Sequence, residues 1–302
     1  MSTVPQTPSG QAHEVLLREC DARGVITLTM NQPDQYNALG DEMLAALQAA
    51  LDGVAADPGA RVLVIAARGK AFCPGHNLKE MLAAPSLEAH QDLFARCSRM
   101  MLSVQNLPIP VIARVQGIAT AAGCQLVAQC DLAVASSQAR FAVSGVNLGL
   151  FCSTPSVPLS RNLLPKHALE MLFTGEFIDA QTALAQGLVN RVAEPEDLDL
   201  EISKLIAKII DKPRAALAFG KKLFYQQREL GVAAAYQLAG QTMALNMADA
   251  CALEGVQAFV DKRSPSWPDA VAREAQGNGG PGAEGAGGPG AKGAKGAKGA
   301  SR

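Results

Sequence analysis

The sequence predicts an α/β protein whose C-terminal part is wholly helical. Three observations carry this reading. Apolar runs rich in β-branched residues, RVLVIAAR (61–68) and IPVIARVQG (109–117), have the look of buried strands. Segments with apolar residues at helical spacing alternate with such runs, so each early strand is followed by a helix that returns the chain, and a right-handed wound arrangement is expected. From residue 155 onward only helical patterns remain.

Taken in order, VLLREC (15–20) and VITLTM (25–30) form two strands joined by the turn DARG. In ALGDEMLAALQAALDGVAAD, Met43, Leu44, Leu47 and Leu51 share one face of a helix. GHNLKEML is a short helix and 87–106 a longer one, and DLAVAS (131–136) adds a further strand. Helices are then expected over 165–174, 180–187, 196–211, 213–231 and 233–262. The domain plan is a flexible N-terminus (1–14), a core (15–195), a helical region (196–265) and a tail (266–302). Residues 276–302 hold 11 of the 28 glycines and no large apolar side chain, so the tail cannot bury surface and should be disordered. Gly277, Gly279 and Gly282 match G-x-G-x-x-G, but no strand precedes them and no helix follows.

Composition removes several function classes. A chain of 302 residues that is 48% hydrophobic and 18% charged is a globular protein with ample length for a core. A net charge of −1 argues against a nucleic-acid or anionic-membrane partner. The longest apolar runs are too short to span a bilayer. The first twenty residues hold one Arg and no apolar segment with basic flanks, so neither a secretory signal nor a mitochondrial presequence is expected. Seven cysteines without paired spacing fit buried thiols in a reducing compartment, and the expected place is the cytoplasm. No G-x-S-x-G elbow, P-loop, H-E-x-x-H or C-x-x-C occurs. Cys73 and His76 have the separation of a ligand pair, but two ligands do not make a zinc site, so no metal is expected.

Two segments share one plan. In RVLVIAARGKAFCPGHNLKEM a buried strand leads through Cys73-Pro74-Gly75-His76 into a helix. In IPVIARVQGIATAAGCQLVAQC a buried strand leads through Thr120-Ala121-Ala122-Gly123 into another. Each turn places unpaired N–H groups at a helix start, where the helix dipole adds positive potential. Side by side, two such turns aim two donors at one oxygen, an oxyanion hole. The plainer alternative is that the small residues only permit tight helix–sheet packing.

VITLTMNQPDQYNALGDEM, KAFCPGHNLKEM and QGIATAAGCQLVAQCDLAVAS, in this order and spacing, resemble the crotonase (enoyl-CoA hydratase/isomerase) superfamily from about residue 15 to 265. The resemblance implies a crotonase-like spiral of ββα units with a helical C-terminal trimerisation region, hence a homo-oligomer, a trimer or dimer of trimers. It implies an acyl-CoA thioester as ligand, with CoA part of the substrate and no separate cofactor. Matched residue by residue, the oxyanion donors are the His76 and Ala122 N–H groups, with Ala38 and Leu39 near the thioester. The His76 side chain either contacts the ligand or faces outward. Lys79 either meets CoA phosphates as a point charge or is a solvated helix lysine. Phe259 and Lys262 match positions that help bind the nucleotide end of CoA, and are equally well explained as core and surface residues.

At two positions the sequence leaves the family pattern. Hydration in the family uses two glutamates around one water, and the matching positions are Gln125 and Gly145. Glutamine can hold a water, a hydroxyl or an amide but cannot carry a proton, and glycine can do neither. Other branches place an acid eight residues beyond Gly145, where Ser153 stands beside Cys152. Ser153 is the best polar candidate left, with Asn147 and His76 behind it. Its plain alternative is a helix cap before TPSVPLSR. Cys152 reads as a small buried residue rather than a nucleophile. Two functions therefore stand open: a thioester-polarising enzyme with weak hydratase activity, or a non-catalytic acyl-CoA binder or sensor.

Overall fold

Strands β1 (Leu16–Cys20) and β2 (Val25–Met30) form an antiparallel hairpin, and helix α1 (Asp41–Ala56) follows. The computed structural model describes residues 14–268. Next come β3 (Val62–Ala67), β4 (Ala71–Cys73), α2 (Leu78–Ala83) and α3 (Leu87–Asn106). The plan repeats with β5 (Val111–Val115), β6 (Ile118–Thr120) and α4 (Ala122–Gln129). It repeats again with β7 (Leu132–Ser136), β8 (Arg140–Ala142), α5 (Ser153–Asn162) and α6 (Pro165–Thr174). Then follow β9 (Ile178–Asp179), α7 (Ala180–Gln186) and β10 (Arg191–Ala193). The last helices are α8 (Leu198–Ile210), α9 (Arg214–Gln227), α10 (Val232–Met247) and α11 (Ala250–Val260).

Each repeat lends one strand to each of two sheets. The larger sheet runs β1-β2-β3-β5-β7-β10, parallel from β2 onward, and the smaller runs β4-β6-β8-β9. Strand–strand–helix units stacked in this way make a spiral. All six residues of β3 are buried because both faces are covered. With the period of two, Leu63, Ile65 and Ala67 join the main core with Met43, Leu47 and Leu51 of α1 and Met100 and Val104 of α3. Val62 and Val64 turn the other way and pack with Leu198, Ile202 and Ile206 of α8.

The smaller sheet was not expected. Its strands are only two or three residues long, so no period shows in the sequence. The strand expected over 109–117 is β5, Val111–Val115, and β6 begins just beyond that run at Ile118. The expectation of helices alone after residue 155 is also corrected, because β9 and β10 return to the two sheets. The helix expected over 233–262 is two, divided where the Asp249 side chain accepts the Cys251 N–H and starts α11. Residues 1–13 and 269–302, which carry most of the expected flexible ends, lie outside the described range.

A buried ion pair fastens α9 to the core. Lys221 Nζ donates to Asp131 at 2.6 Å and to the Val104 and Ile109 carbonyls at 3.0 Å each. Tyr225 donates to the other Asp131 oxygen at 2.8 Å. Burial pulls the Lys221 ammonium below its ordinary value, against the raising effect of Asp131. No described helix is long and apolar enough to cross a membrane.

Candidate active site

The two strand-to-helix turns lie side by side because β4 and β6 pair in parallel, Ala71 against Ile118 and Cys73 against Ala119. Thr120 Oγ1 donates to the Pro74 carbonyl at 2.8 Å and ties one turn to the other. A Cβ built on Gly75, whose φ is +104°, would sit 3.1 Å from the Ala122 nitrogen. The Ala122 nitrogen thus lies close against the turn that carries His76.

Ala121 makes this arrangement possible at a cost. Its φ of 47° and ψ of −120° belong to glycine, and an alanine there stores roughly 1–3 kcal/mol of strain. The surroundings hold it: its N–H donates to the Ala142 carbonyl and its carbonyl accepts from Gln125, both at 3.0 Å. Helix α4 therefore starts at Ala122, where the first N–H groups have no intrahelical acceptor. Gly123 has a packing role: a Cβ there would collide with the Cys73 carbonyl oxygen and lie 2.7 Å from its carbon. The packing explanation of the small residues therefore holds at Gly123.

His76 bridges to Leu39, whose N–H donates to the Gly75 carbonyl at 2.8 Å. The ring Nδ1 lies 3.3 Å from the Leu39 carbonyl oxygen, and Phe94 meets the ring edge-on at 5.6 Å. Nε2 is buried without a partner. Burial lowers the imidazole below its ordinary value, opposed by the Leu39 carbonyl and helped by the charge of Arg96. Arg96 itself is held by Asp41 and Asp92.

Leu39 is buried and Ala38 half-buried beside this turn. The segment is locked by Asn37, fully buried with φ 63°, whose Nδ2 donates to the Arg68 and Ala71 carbonyls at 2.8 and 3.0 Å. Sequence reasoning treated Asn37 only as a motif letter. Its signal was an Asn before Ala-Leu, a residue type that tolerates the left-handed region while its amide bonds to backbone. Glu80 was missed in the same way: it accepts the Asp41 N–H at 2.9 Å and so caps α1 across 39 residues.

Gln125 is 4% exposed, and its Oε1 has no hydrogen-bond partner. At Gly145 there is no room for a side chain: a Cβ would stand 2.6 Å from the Leu150 carbonyl oxygen and 2.7 Å from Cys152 Sγ. The Gly145 N–H lies 3.3 Å from that sulfur. Burial raises the Cys152 thiol and pushes those of Cys73 and Cys124 up to about 12, so all three are protonated at neutral pH. Ser153 is not the cap expected for α5. The cap position is Cys152, and the exposed Ser153 hydroxyl donates to the Phe151 carbonyl at 3.3 Å because that acceptor lies just behind it. Asn147 points its amide at the Gly175 carbonyl, 3.5 Å away.

Lys79 is exposed on the first turn of α2, and its backbone N–H donates to Asn77 Oδ1. Phe259, 85% exposed, and Lys262 belong to the α11 end of the chain, which packs on α9 and α10. The structure thus brings together His76, Ala122, Ala38 and Leu39. It sets Gln125 one turn into α4, and leaves Phe259 and Lys262 on a separate helical layer. Among the described residues no cluster of three or more His, Cys, Asp or Glu is placed to hold a metal.

The family model for enoyl-CoA hydratase/isomerase matches residues 21–270. The enoyl-CoA hydratase domain-containing protein 3, mitochondrial, of Xenopus laevis is 46% identical over 81% of this chain and 83% of its own length. The crystal structure of the enoyl-CoA hydratase of Mycobacterium smegmatis superposes with a TM-score of 0.83 at 60% identity, covering 84% of this chain and 98% of that one. That of human enoyl Coenzyme A hydratase domain-containing protein 3 gives 0.81 at 42% identity, covering 84% and 100%. The Xenopus laevis relative is named mitochondrial, as are those of rat, mouse and human, which overturns the cytoplasmic expectation. That expectation leaned on the lack of basic residues near the N-terminus and on reduced thiols, and reduced thiols do not separate the two compartments. The spiral of strand–strand–helix units, the paired turns and the match over residues 21–270 make this chain a member of the enoyl-CoA hydratase/isomerase family, with the crotonase fold.

Proposed function

We propose that the protein binds acyl-CoA thioesters and polarises the thioester carbonyl between the N–H groups of His76 and Ala122, acting as a lyase or isomerase of the hydratase/isomerase type. The observation that carries this is the close approach of Gly75 to the Ala122 nitrogen, which sets the two donors' turns against each other. One preorganised donor to an oxyanion is worth about 10²–10³ in rate, so the pair supplies a substantial gain without help from side chains. Ala38 and Leu39 would flank the thioester, and Lys79 would meet CoA phosphates. Phe259 and Lys262 would reach a CoA nucleotide only across an assembly of chains. CoA enters as part of the substrate, and the reading calls on no separate cofactor, metal, nucleic acid or membrane.

The second reading is a non-catalytic acyl-CoA binder or sensor. It is favoured by Gln125 and Gly145, which stand where the resemblance places the family's two glutamates. Ser153, with its hydroxyl on the Phe151 carbonyl, does not replace them. Both readings require the ligand. A panel of acyl-CoAs at about a hundred times Kd should stabilise the folded protein by about 2.7 kcal/mol, read as a rise in melting temperature. No rise with any CoA thioester would defeat both.

The assembly is proposed as a trimer or a dimer of trimers. Helices α9 and α10 have no buried apolar residue in the single chain, and α10 and α11 expose Tyr236, Met243, Leu245, Leu253 and Val260. Apolar patches of that kind mark interfaces. Light scattering on the eluting protein should give three or six times the chain mass, and a monomer at micromolar concentration would refute the assembly.

A further inference from the structure

The reading above uses only the backbone of His76 and leaves its imidazole unemployed. The two ring nitrogens have different surroundings. Nδ1 faces the Leu39 carbonyl oxygen, which can only accept, so Nδ1 carries the proton and Nε2 presents a lone pair. That lone pair is buried and unpartnered. A buried acceptor without a donor costs on the order of 1–3 kcal/mol, and such groups in folded proteins call for a reason. Backbone pairing to Leu39 and the edge contact with Phe94 hold the ring in place. Around the turns the other candidates fail as proton carriers. Gln125 Oε1 is also an unpartnered acceptor but cannot keep a proton. Position 145 has no side chain, the Ser153 hydroxyl is held by the Phe151 carbonyl, and the nearby thiols stay protonated.

We infer that His76 Nε2 is the proton acceptor of the site, acting at the α-carbon of the thioester whose oxygen rests on the N–H of the same residue and of Ala122. The inference depends on the acyl-CoA reading. The step is balanced within the complex. The α-C–H bond breaks, its electron pair moves into the thioester as an enolate, and the proton passes to Nε2, giving an imidazolium. Once the imidazolium has traded that proton with solvent, return to the α-carbon places a solvent hydrogen there. In an enoyl chain, return to the γ-carbon shifts the double bond. Nothing else is consumed.

The charge acting on the ring is that of Arg96 on α3; Asp92 of α3 and Asp41 of α1 pair with it, and α2 adds Lys79 and Glu80. Arg96 is neutralised by both aspartates, and Glu80 is engaged by Asn77 and the Asp41 N–H. Burial therefore dominates and depresses the imidazole, so the base form persists at neutral pH and is lost only as pH falls below the ordinary histidine value.

The test is deuterium uptake at the α-carbon of butyryl-CoA in heavy water, followed by mass spectrometry across pH. Wild-type protein should exchange, with a single acid limb below the ordinary histidine value. His76→Gln should lose about a hundredfold or more of the exchange rate and lose that limb. Its stabilisation by butyryl-CoA should remain, since the backbone donor is kept. Unchanged exchange in His76→Gln, or an acid limb absent from the wild type, overturns the inference even where butyryl-CoA stabilises the protein. Absence of stabilisation of the wild type overturns the acyl-CoA reading itself. The wild-type profile decides the matter even where the variant folds poorly.

Discussion

Crotonyl-CoA hydration by the purified protein should run at least about 10⁴-fold more slowly than by a relative with glutamates at both matching positions, followed as loss of enoyl absorbance. Each positioned acid–base group is worth about 10²–10⁴, and two are missing. Gln125 is buried with its Oε1 unpartnered, yet its amide neither gives up nor keeps a proton at neutral pH. His76 does not close the gap, because hydration asks for water activation at one carbon and proton delivery at the other. Restoring the carboxylates should also fail. Gln125→Glu places an acid in space the amide already occupies, but Gly145→Glu drives its Cβ into the Leu150 carbonyl and Cys152 Sγ. Backbone cannot yield there without moving the 145–152 segment, so the new carboxylate would land off the position hydration needs. Ordinary hydratase rates in the unmodified protein would show that Gln125 and Gly145 do not occupy the glutamate positions.

The parts of the fold legible in the sequence are those whose pattern is local and long. Helix α3 spans 87–106 as read, because Leu93, Cys97, Met100 and Val104 repeat at helical spacing and Ser86 caps the start. Strand β3 was legible as an unbroken apolar run. Strands β4, β6 and β8 were not, since three residues between turn signals carry no period; their partners, far along the chain, define them. The division of α10 from α11 rests on one aspartate that looks like any polar helix residue until its cap is seen. At the site, the shared strand–turn–helix plan foretold the paired turns. It did not reveal the Leu39 carbonyl on the His76 ring, the Cys152 sulfur filling the space beside Gly145, or the Ser153 hydroxyl turned back on Phe151. Each of those contacts is decided by geometry that residue types alone do not encode.

Gly123→Ala should damage both stability and ligand binding, although it adds a single methyl group. Alanine is the better helix former, so propensity alone favours the change by about 1 kcal/mol. Packing overrules it. The new Cβ would collide with the Cys73 carbonyl oxygen and lie 2.7 and 2.8 Å from the Cys73 carbonyl carbon and Cβ, atoms fixed at the end of β4. Overpacking against side chains costs about 1–3 kcal/mol, and here the obstacle is backbone, so a net loss of at least about 2 kcal/mol in a denaturant titration is expected. Relief can come only by moving α4 away from β4. That motion carries with it the Ala122 N–H, the proposed donor, and it loosens the strained Ala121 that precedes it. A displacement of about 1 Å in a positioning group costs on the order of 10² in rate. The variant should therefore lose most of its stabilisation by acyl-CoA, even at temperatures where it remains folded. Gly220→Ala on α9, where a Cβ meets nothing within 4 Å, is the matched control and should gain up to about 1 kcal/mol. Equal behaviour of the two variants would mean that α4 is free to shift and that the Ala122 donor is not held in place by Gly123.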